Sequence, residues 1–437
     1  MNISLQWRRS VTTGALIAAL TAGSAYFAAC ADDRLAGTPV GSPSRIVLTW
    51  ADDPARTQAV TWRMAGLVAH PQAQIAPLTP SPKFEDSTVT VMGTVTAGEP
   101  GGGPASYAAE FKGLKPGTKY TYRVGDGATW SEWNVFQTAS TTPEPFRFIY
   151  VGDAQNNIRS LWSRTVRTAF ATAPDARFII SAGDLVAEGY DDRLWGEWCE
   201  ALGFISAMIP SMPVPGNHDL HQVKKPADDD DQDDNPLTAP AAWRRQFDLP
   251  RNGPAALQGQ SYYVDFQGAR FIALDVNAFG GTAEPGSAKG RIADQEVAWL
   301  DKVLSENRNR WTVVFSHYPV YPVAKRRTRF LQMESRLVPL YDKYHVDLVL
   351  QGHDHGYGRT YKLRGGKPVA PEEPGTIYAV SVSGTKMYEI GPPVPEVMAK
   401  TLGGVQLFQV VSVSPDRLAL LAYTIDGAVI DSFEIRK

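Results

Sequence analysis

The sequence has 437 residues, too many for one ordinary core, so two domains are expected. Hydrophobic residues make up 43% and charged residues 20%, which excludes an intrinsically disordered chain. A formal charge of −3 carries no basic excess, so nucleic-acid binding has no electrostatic support.

Residues 1–29 read as an export signal. Arg8 and Arg9 form a basic start, an apolar and small-residue run covers 11–29, and Asp32 is the first acid. Threonine, glycine and serine interrupt the run, which argues against a stable membrane span. It ends Phe27-Ala28-Ala29-Cys30, similar to a bacterial lipobox with phenylalanine in the place of the usual leucine. The expectation is a periplasmic, outer-membrane or cell-surface lipoprotein attached through lipidated Cys30, with simple secretion as the alternative. Cys199 is then the one remaining thiol and can form no internal disulfide. It falls among Leu194, Trp195, Trp198, Leu202 and Ile205, which recur at helical spacing, so a buried structural cysteine is expected.

A linker spans 30–44, its AGTPVGSPS stretch reading as a flexible tether. From 45 to 138 the pattern is short strands between turn residues, at 46–50, 59–64, 87–93, 106–111, 120–124 and 133–138. This predicts an all-β sandwich of the immunoglobulin-like kind. The segment 114–136, LKPGTKYTYRVGDGATWSEWNVF, resembles the end of a fibronectin type III domain. A packing or spacer role is the plain expectation for it, and a carbohydrate- or partner-binding role is the alternative.

TASTTPEP at 138–145 marks the boundary, and from 145 to 437 strands alternate with amphipathic helices. Strands are predicted at 146–151, 177–181, 212–215, 261–266, 270–276, 311–316, 346–350, 376–382, 407–413, 418–424 and 429–435. Helices are predicted around Ile158–Phe170 and over 194–208, 294–307 and 329–344.

Five short blocks follow strand ends: VGD at 151–153, AGD at 182–184, GNHD at 216–219, FSH at 315–317 and GHDH at 352–355. Loops beyond strand ends converge over a rigid sheet, so residues some 200 positions apart can share a crevice. Each block alone reads equally well as a polar turn, because aspartate after glycine is a common turn residue. Together they hold four aspartates, an asparagine and four of the seven histidines of the chain, a donor set suited to Fe, Mn, Zn or Mg-like ions. His221 is left over and reads as a rim or structural residue.

In order and spacing these blocks resemble the calcineurin-like metallophosphoesterases, most closely the purple acid phosphatase group. The resemblance implies an α/β catalytic domain whose two-sheet core is flanked by helices. It also implies two metal ions about 3.5 Å apart. One would be held by Asp153, Asp184 and His355, and the other by Asp184, Asn217, His317 and His353, with Asp184 shared. A hydroxide between the ions would attack phosphorus, His218 would protonate the leaving alcohol, and Asp219 would orient the His218 ring.

Two positions depart from that pattern. Purple acid phosphatases carry an iron-ligating tyrosine three residues after the shared aspartate, where this chain has Ala187, with Tyr190 nearby. Many wider relatives have a histidine where this chain has Gln155, so Gln155 is read as a weak ligand, a water- or substrate-positioning residue, or inert. Arg326 and Arg327 lie in a region where the group carries phosphate-contacting histidines, and one or other is read as a phosphate contact, with a solvated basic loop as the alternative. ADDDDQDDN at 227–235 reads as a solvated acidic loop, with calcium binding or repulsion of polyanions as alternatives. The resulting expectation is an exported dimetal phosphomonoesterase. A phosphodiesterase or nucleotide hydrolase on the same metal core, or a non-catalytic surface-binding protein, are the rival readings.

Overall fold

The structure is a computed structural model that describes residues 41–98, 103–222, 237–280, 286–325 and 327–437. Residues 1–29, read above as an export signal, Cys30, the 227–235 acidic run and Arg326 lie outside these residues. Among the described residues no helix is long and apolar enough to cross a membrane.

The first eight strands form two facing antiparallel sheets. One joins β1 (Ser44–Thr49), β2 (Gln58–Met64), β6 (Ala105–Phe111) and β5 (Thr94–Gly98). The other joins β4 (Val89–Met92), β3 (Gln72–Pro77), β7 (Lys119–Gly125) and β8 (Asn134–Gln137). Alternate inward residues such as Trp62, Tyr107, Phe111, Tyr122 and Phe136 fill the space between them. Two of these strands, β3 and β5, are absent from the sequence expectation. Gln72–Pro77 is QAQIAP, poor in β-branched residues, and it becomes a strand because β4 and β7 pair on its two sides.

The second part packs two mixed sheets face to face. The first follows the order β11 (Ser211–Val214), β10 (Ile179–Ala182), β9 (Phe146–Val151), β21 (Leu407–Val413), β22 (Arg417–Thr424), β23 (Val429–Arg436). The second runs β12 (Tyr262–Phe266), β13 (Ala269–Leu274), β14 (Trp311–Ser316), β15 (Leu348–Gln351), β19 (Ile377–Val380), β16 (Tyr357–Thr360), β20 (Met398–Leu402). A small hairpin, β17 (Leu363–Arg364) and β18 (Lys367–Pro368), stands apart from both. Phe148 and Phe178 of the first sheet meet Phe266 and Phe271 of the second in one aromatic cluster. Helices Ala288–Ser305 and Leu331–Tyr344 cover the outer face of the second sheet through Leu300, Met333, Leu337 and Tyr341. The two-sheet core flanked by helices is therefore present.

Local chemistry sets several element ends. The turn at Ile158–Trp162 is a π-helix, in which the Trp162 N–H reaches back to the Asn157 carbonyl. The extra residue shifts the helical phase, so Ile158, Trp162 and Val166 are buried while Leu161 is exposed. The Asp192–Leu202 helix stops at Gly203, whose φ of 59° suits glycine, and a 3₁₀ turn completes the predicted 194–208 segment. Cys199 is buried, and burial pushes its thiol up to about 12, as a structural cysteine requires.

The N-terminal sandwich is docked on the second part by specific contacts. Arg45 and Arg63 both donate to the Asp192 carboxylate, at 3.0 and 2.6 Å. The Tyr122 hydroxyl donates to the Ala207 carbonyl at 2.7 Å, and Trp50 packs edge-on against Phe178. These contacts favour the packing role for the sandwich. Replacing Asp192 by Asn leaves two partly buried guanidinium groups without their counter-charge. A loss of about 1–2 kcal/mol is expected, reduced from a fully buried pair because Asp192 is 32% exposed. Urea unfolding of D192N against the parent chain measures it, and an unchanged midpoint would assign the docking to apolar contacts alone.

Candidate metal centre

Parallel pairing explains why the five blocks meet. Strands β9, β10 and β11 run parallel in one sheet, and β13, β14, β15 and β19 run parallel in the other. Their carboxyl ends share one rim. Asp153 lies just past β9, Asp184 past β10, Asn217 past β11, His317 past β14, and His353 and His355 past β15.

Two clusters result. Ligand-type atoms of Asp184, His317 and His353 all lie within 4.8 Å of one another, and so do those of Asp153, Asp184 and His355. Asp184 belongs to both. The His317 Nε2 is 3.2 Å from an Asp184 oxygen, 3.1 Å from the Asn217 amide oxygen and 3.2 Å from His353 Nδ1. All six residues are buried. The expected metal ligands are thus brought together in the expected grouping.

The backbone is forced to present them. Asp153, Asp184, His353 and His355 have φ of 51°, 51°, 73° and 46°, the left-handed region that non-glycine residues rarely occupy. Each such conformation costs on the order of 1–3 kcal/mol and persists only where the surroundings impose it. Here they do: the His353 N–H donates to the Asp153 carboxylate at 2.8 Å, and the His218 N–H donates to Asp184 Oδ1 at 3.0 Å. The His317 Nδ1–H donates to the Ala182 carbonyl at 2.9 Å, which aims its Nε2 into the cluster.

The electrostatics suit cations. Burial pushes Asp153 well above the usual carboxylate range. Burial also raises Asp184, but His317 and His218 outweigh it and hold Asp184 below its ordinary value. Burial opposes charge on His317, yet Asp184 and Asp153 raise it to about 9. Burial and Arg327 hold His353 well down, and burial and Lys386 bring His355 to about 3. Buried acceptors therefore converge in one place, and the Gln155 amide oxygen beside them has no hydrogen-bond partner. Carboxylate oxygens, an amide oxygen and imidazole nitrogens in this arrangement fit a pair of metal ions.

Three expectations are refined here. Asp219 does not orient the His218 ring: its oxygens accept from the backbone N–H groups of Gly216 and Val186, at 2.9 and 3.1 Å. The ring is held instead by the Ala187 carbonyl, 2.7 Å from His218 Nδ1. Side chains adjacent on a tight turn point apart, so neighbours in sequence need not be partners in space. Gln155 sits among the ligands rather than at a substrate rim, its amide nitrogen 3.1 Å from Asp184 Oδ2 and 3.0 Å from His355 Nε2. Tyr190 does not replace the tyrosine missing at Ala187, because its hydroxyl is bonded to Glu188.

Arg327 does lie at this rim, its Nε 3.7 Å from Asp354 and its guanidinium over the Tyr388 ring. His221 is buried with its ring 5.1 Å from that of His218. The residues that sequence reasoning missed are Lys386 and Tyr388, which follow β19. The end of another buried parallel strand was the available signal for them.

Residues 43–138 match the purple acid phosphatase N-terminal domain, and 146–357 match the calcineurin-like phosphoesterase family. The chain thus carries a calcineurin-like phosphoesterase domain behind a purple acid phosphatase N-terminal domain. An uncharacterized protein of Mycobacterium tuberculosis is 24% identical over 358 residues, 76% of this chain and 64% of that one. Probable purple acid phosphatase 20 of Arabidopsis thaliana is 25% identical over 252 residues, 56% of this chain and 53% of that one. The alignments thus span less than two thirds of these relatives' length. A purple acid phosphatase from yellow lupin shares the fold with a TM-score of 0.68 at 18% identity, over 91% of this chain and 74% of that one.

Two outcomes are expected. A Cβ at Gly216 would lie 2.1 Å from Asp184 Oδ1, so Gly216→Ala should displace the shared carboxylate. Metal affinity should fall roughly 10–100-fold, read by competition with a chromogenic chelator; affinity equal to the parent's would separate Gly216 from the site. With alanine at 187, iron-loaded protein should show no tyrosinate charge-transfer band in the visible spectrum, and a purple colour would mean that another tyrosine reaches the metal.

Proposed function

We propose that this protein is an exported, metal-dependent phosphatase that hydrolyses phosphate monoesters. The observation that carries the reading is the sharing of Asp184 between two buried carboxylate–imidazole clusters. Asp153, Asp184 and His355 would hold one ion, and Asp184, Asn217, His317 and His353 the other. Ions bound there supply Lewis-acid polarisation of phosphoryl oxygens and of water.

The chain's own residues then do the rest. A carbonyl can only accept, so the Ala187 oxygen fixes His218 with its proton on Nδ1 in the neutral ring. On protonation the transferable proton sits on Nε2, free to move to the departing alkoxide. The main-chain N–H of the same residue donates to Asp184, so one short segment ties the proton donor to the shared ligand. Arg327, with its side chain 16% exposed, offers a guanidinium to the phosphoryl oxygens. Gln155 donates to Asp184 and steadies it. Export rests on the sequence of residues 1–30, and monoester preference rests on the likeness to the purple acid phosphatases.

His218→Ala should lower kcat on p-nitrophenyl phosphate by roughly 10²–10⁴ while metal content stays near the parent's. Chelation should abolish hydrolysis, and Mn, Zn or Fe should restore it. Activity that survives both treatments would remove the reading, and faster turnover of bis-p-nitrophenyl phosphate would replace monoester by diester hydrolysis.

A further inference from the structure

The loop after β19, residues 381–388, lies outside the five motif blocks and beyond the matched catalytic residues. Bonds at both of its ends fasten it to the ligand loops. The Ser383 N–H donates to the Gly152 carbonyl at 2.8 Å, next to Asp153, and the Tyr388 N–H donates to the His355 carbonyl at 3.1 Å. The Thr385 hydroxyl donates to the Asn156 carbonyl at 3.0 Å. A Cβ on Gly384 would come 2.1 Å from the Asp153 carbonyl oxygen, so only glycine allows this approach. The loop is a preformed part of the rim.

Its side chains build a cationic shelf there. The Tyr388 ring packs edge-on against the His355 ring, with centroids 4.8 Å apart. Arg327 Cζ lies 5.2 Å and Lys386 Nζ 5.5 Å from the Tyr388 centroid. The ring attracts each cation through its π-electrons, which holds both beside the ring that packs on His355. The nearby acids are partly engaged elsewhere. Asp354 accepts the Val323 and Ala324 N–H groups through Oδ2, leaving Oδ1 at 3.7 Å from Arg327, and Glu389 binds Lys325 at 2.6 Å. A crevice that focuses positive potential beside a phosphate site concentrates anions and favours substrates with more than one.

We propose that Lys386, held with Arg327 on the Tyr388 ring, is a specificity residue that binds a second anionic group of the substrate. The group is a carboxylate or a phosphate carried beyond the phosphoryl that is hydrolysed. The inference rests on the phosphatase reading above and adds the substrate class to it.

The test compares the metal-loaded parent protein with Lys386→Met and Lys386→Arg on three substrates. 2-Phosphoglycolate carries a carboxylate, inorganic diphosphate carries a second phosphate, and 2-hydroxyethyl phosphate, with no second anionic group, is the control. In the parent, kcat/KM should be higher for at least one of the two charged substrates than for the control. K386M should lower that charged-to-control ratio about tenfold, mainly through KM, as expected for one charge-assisted contact at a partly exposed site. K386R should restore most of it. The charged substrate that responds identifies the second group as carboxylate or phosphate. The same charged compounds should also bind more weakly to K386M by calorimetry, while the metal content of the variant equals the parent's. A ratio unchanged in K386M, or a KM raised equally for all three substrates, would overturn the shelf while leaving phosphatase action intact. A parent protein that hydrolyses none of the three would instead remove the phosphatase reading itself.

Discussion

Everything in this molecule that concerns chemistry depends on the placement of one carboxylate. Asp184 stands at the end of β10 with its backbone in the left-handed region and its side chain between two groups of buried imidazoles and acids. Burial penalises its charge, and the histidines beside it more than offset that penalty. Few arrangements keep a fully buried carboxylate ionised without a partner cation. The surrounding groups offer lone pairs in directions that protein donors leave largely unmet, with the Gln155 amide oxygen the plainest example.

The fold exists in the form that makes this placement rigid. Two sheets stacked through Phe148, Phe178, Phe266 and Phe271 bring their parallel strand ends to one rim. Backbone amides then grip the ligands: His353 N–H holds Asp153, His218 N–H holds Asp184, and Gly216 N–H holds the neighbouring Asp219. The strain of several left-handed residues is thus tied to hydrogen bonds that only the assembled core can supply. The N-terminal sandwich adds to this core rather than hanging from it, since Trp50 packs directly on Phe178.

Much of this was legible in the sequence, and the failures have physical causes. Trp311–Ser316 and Leu407–Val413 are rich in β-branched and aromatic residues, and both strands stand at the predicted positions. The metal-ligand grouping was legible because carboxylates and imidazoles are chemically distinctive and fall at strand ends. Gln72–Pro77 was not legible, because neighbouring strands rather than its own residues make it extended. The Asp219 role was misread because contiguity on a turn was taken for contact. The Ala187 carbonyl that orients His218 leaves no trace in residue type, since every residue has a carbonyl. Lys386 and Tyr388 were missed for a related reason: no residue of 381–388 is a typical ligand, and only the folded chain brings the loop against His355.

The central claim is that one carboxylate serves two ions, and counting bound metal tests it most directly. Metal-loaded parent protein, Asp153→Ala and Asp184→Ala would be freed of excess ion and analysed by mass spectrometry, with circular dichroism confirming that each is folded. The account predicts about two ions in the parent, one in the Asp153 variant and close to none in the Asp184 variant. An Asp184 variant that is folded and keeps both ions would contradict it.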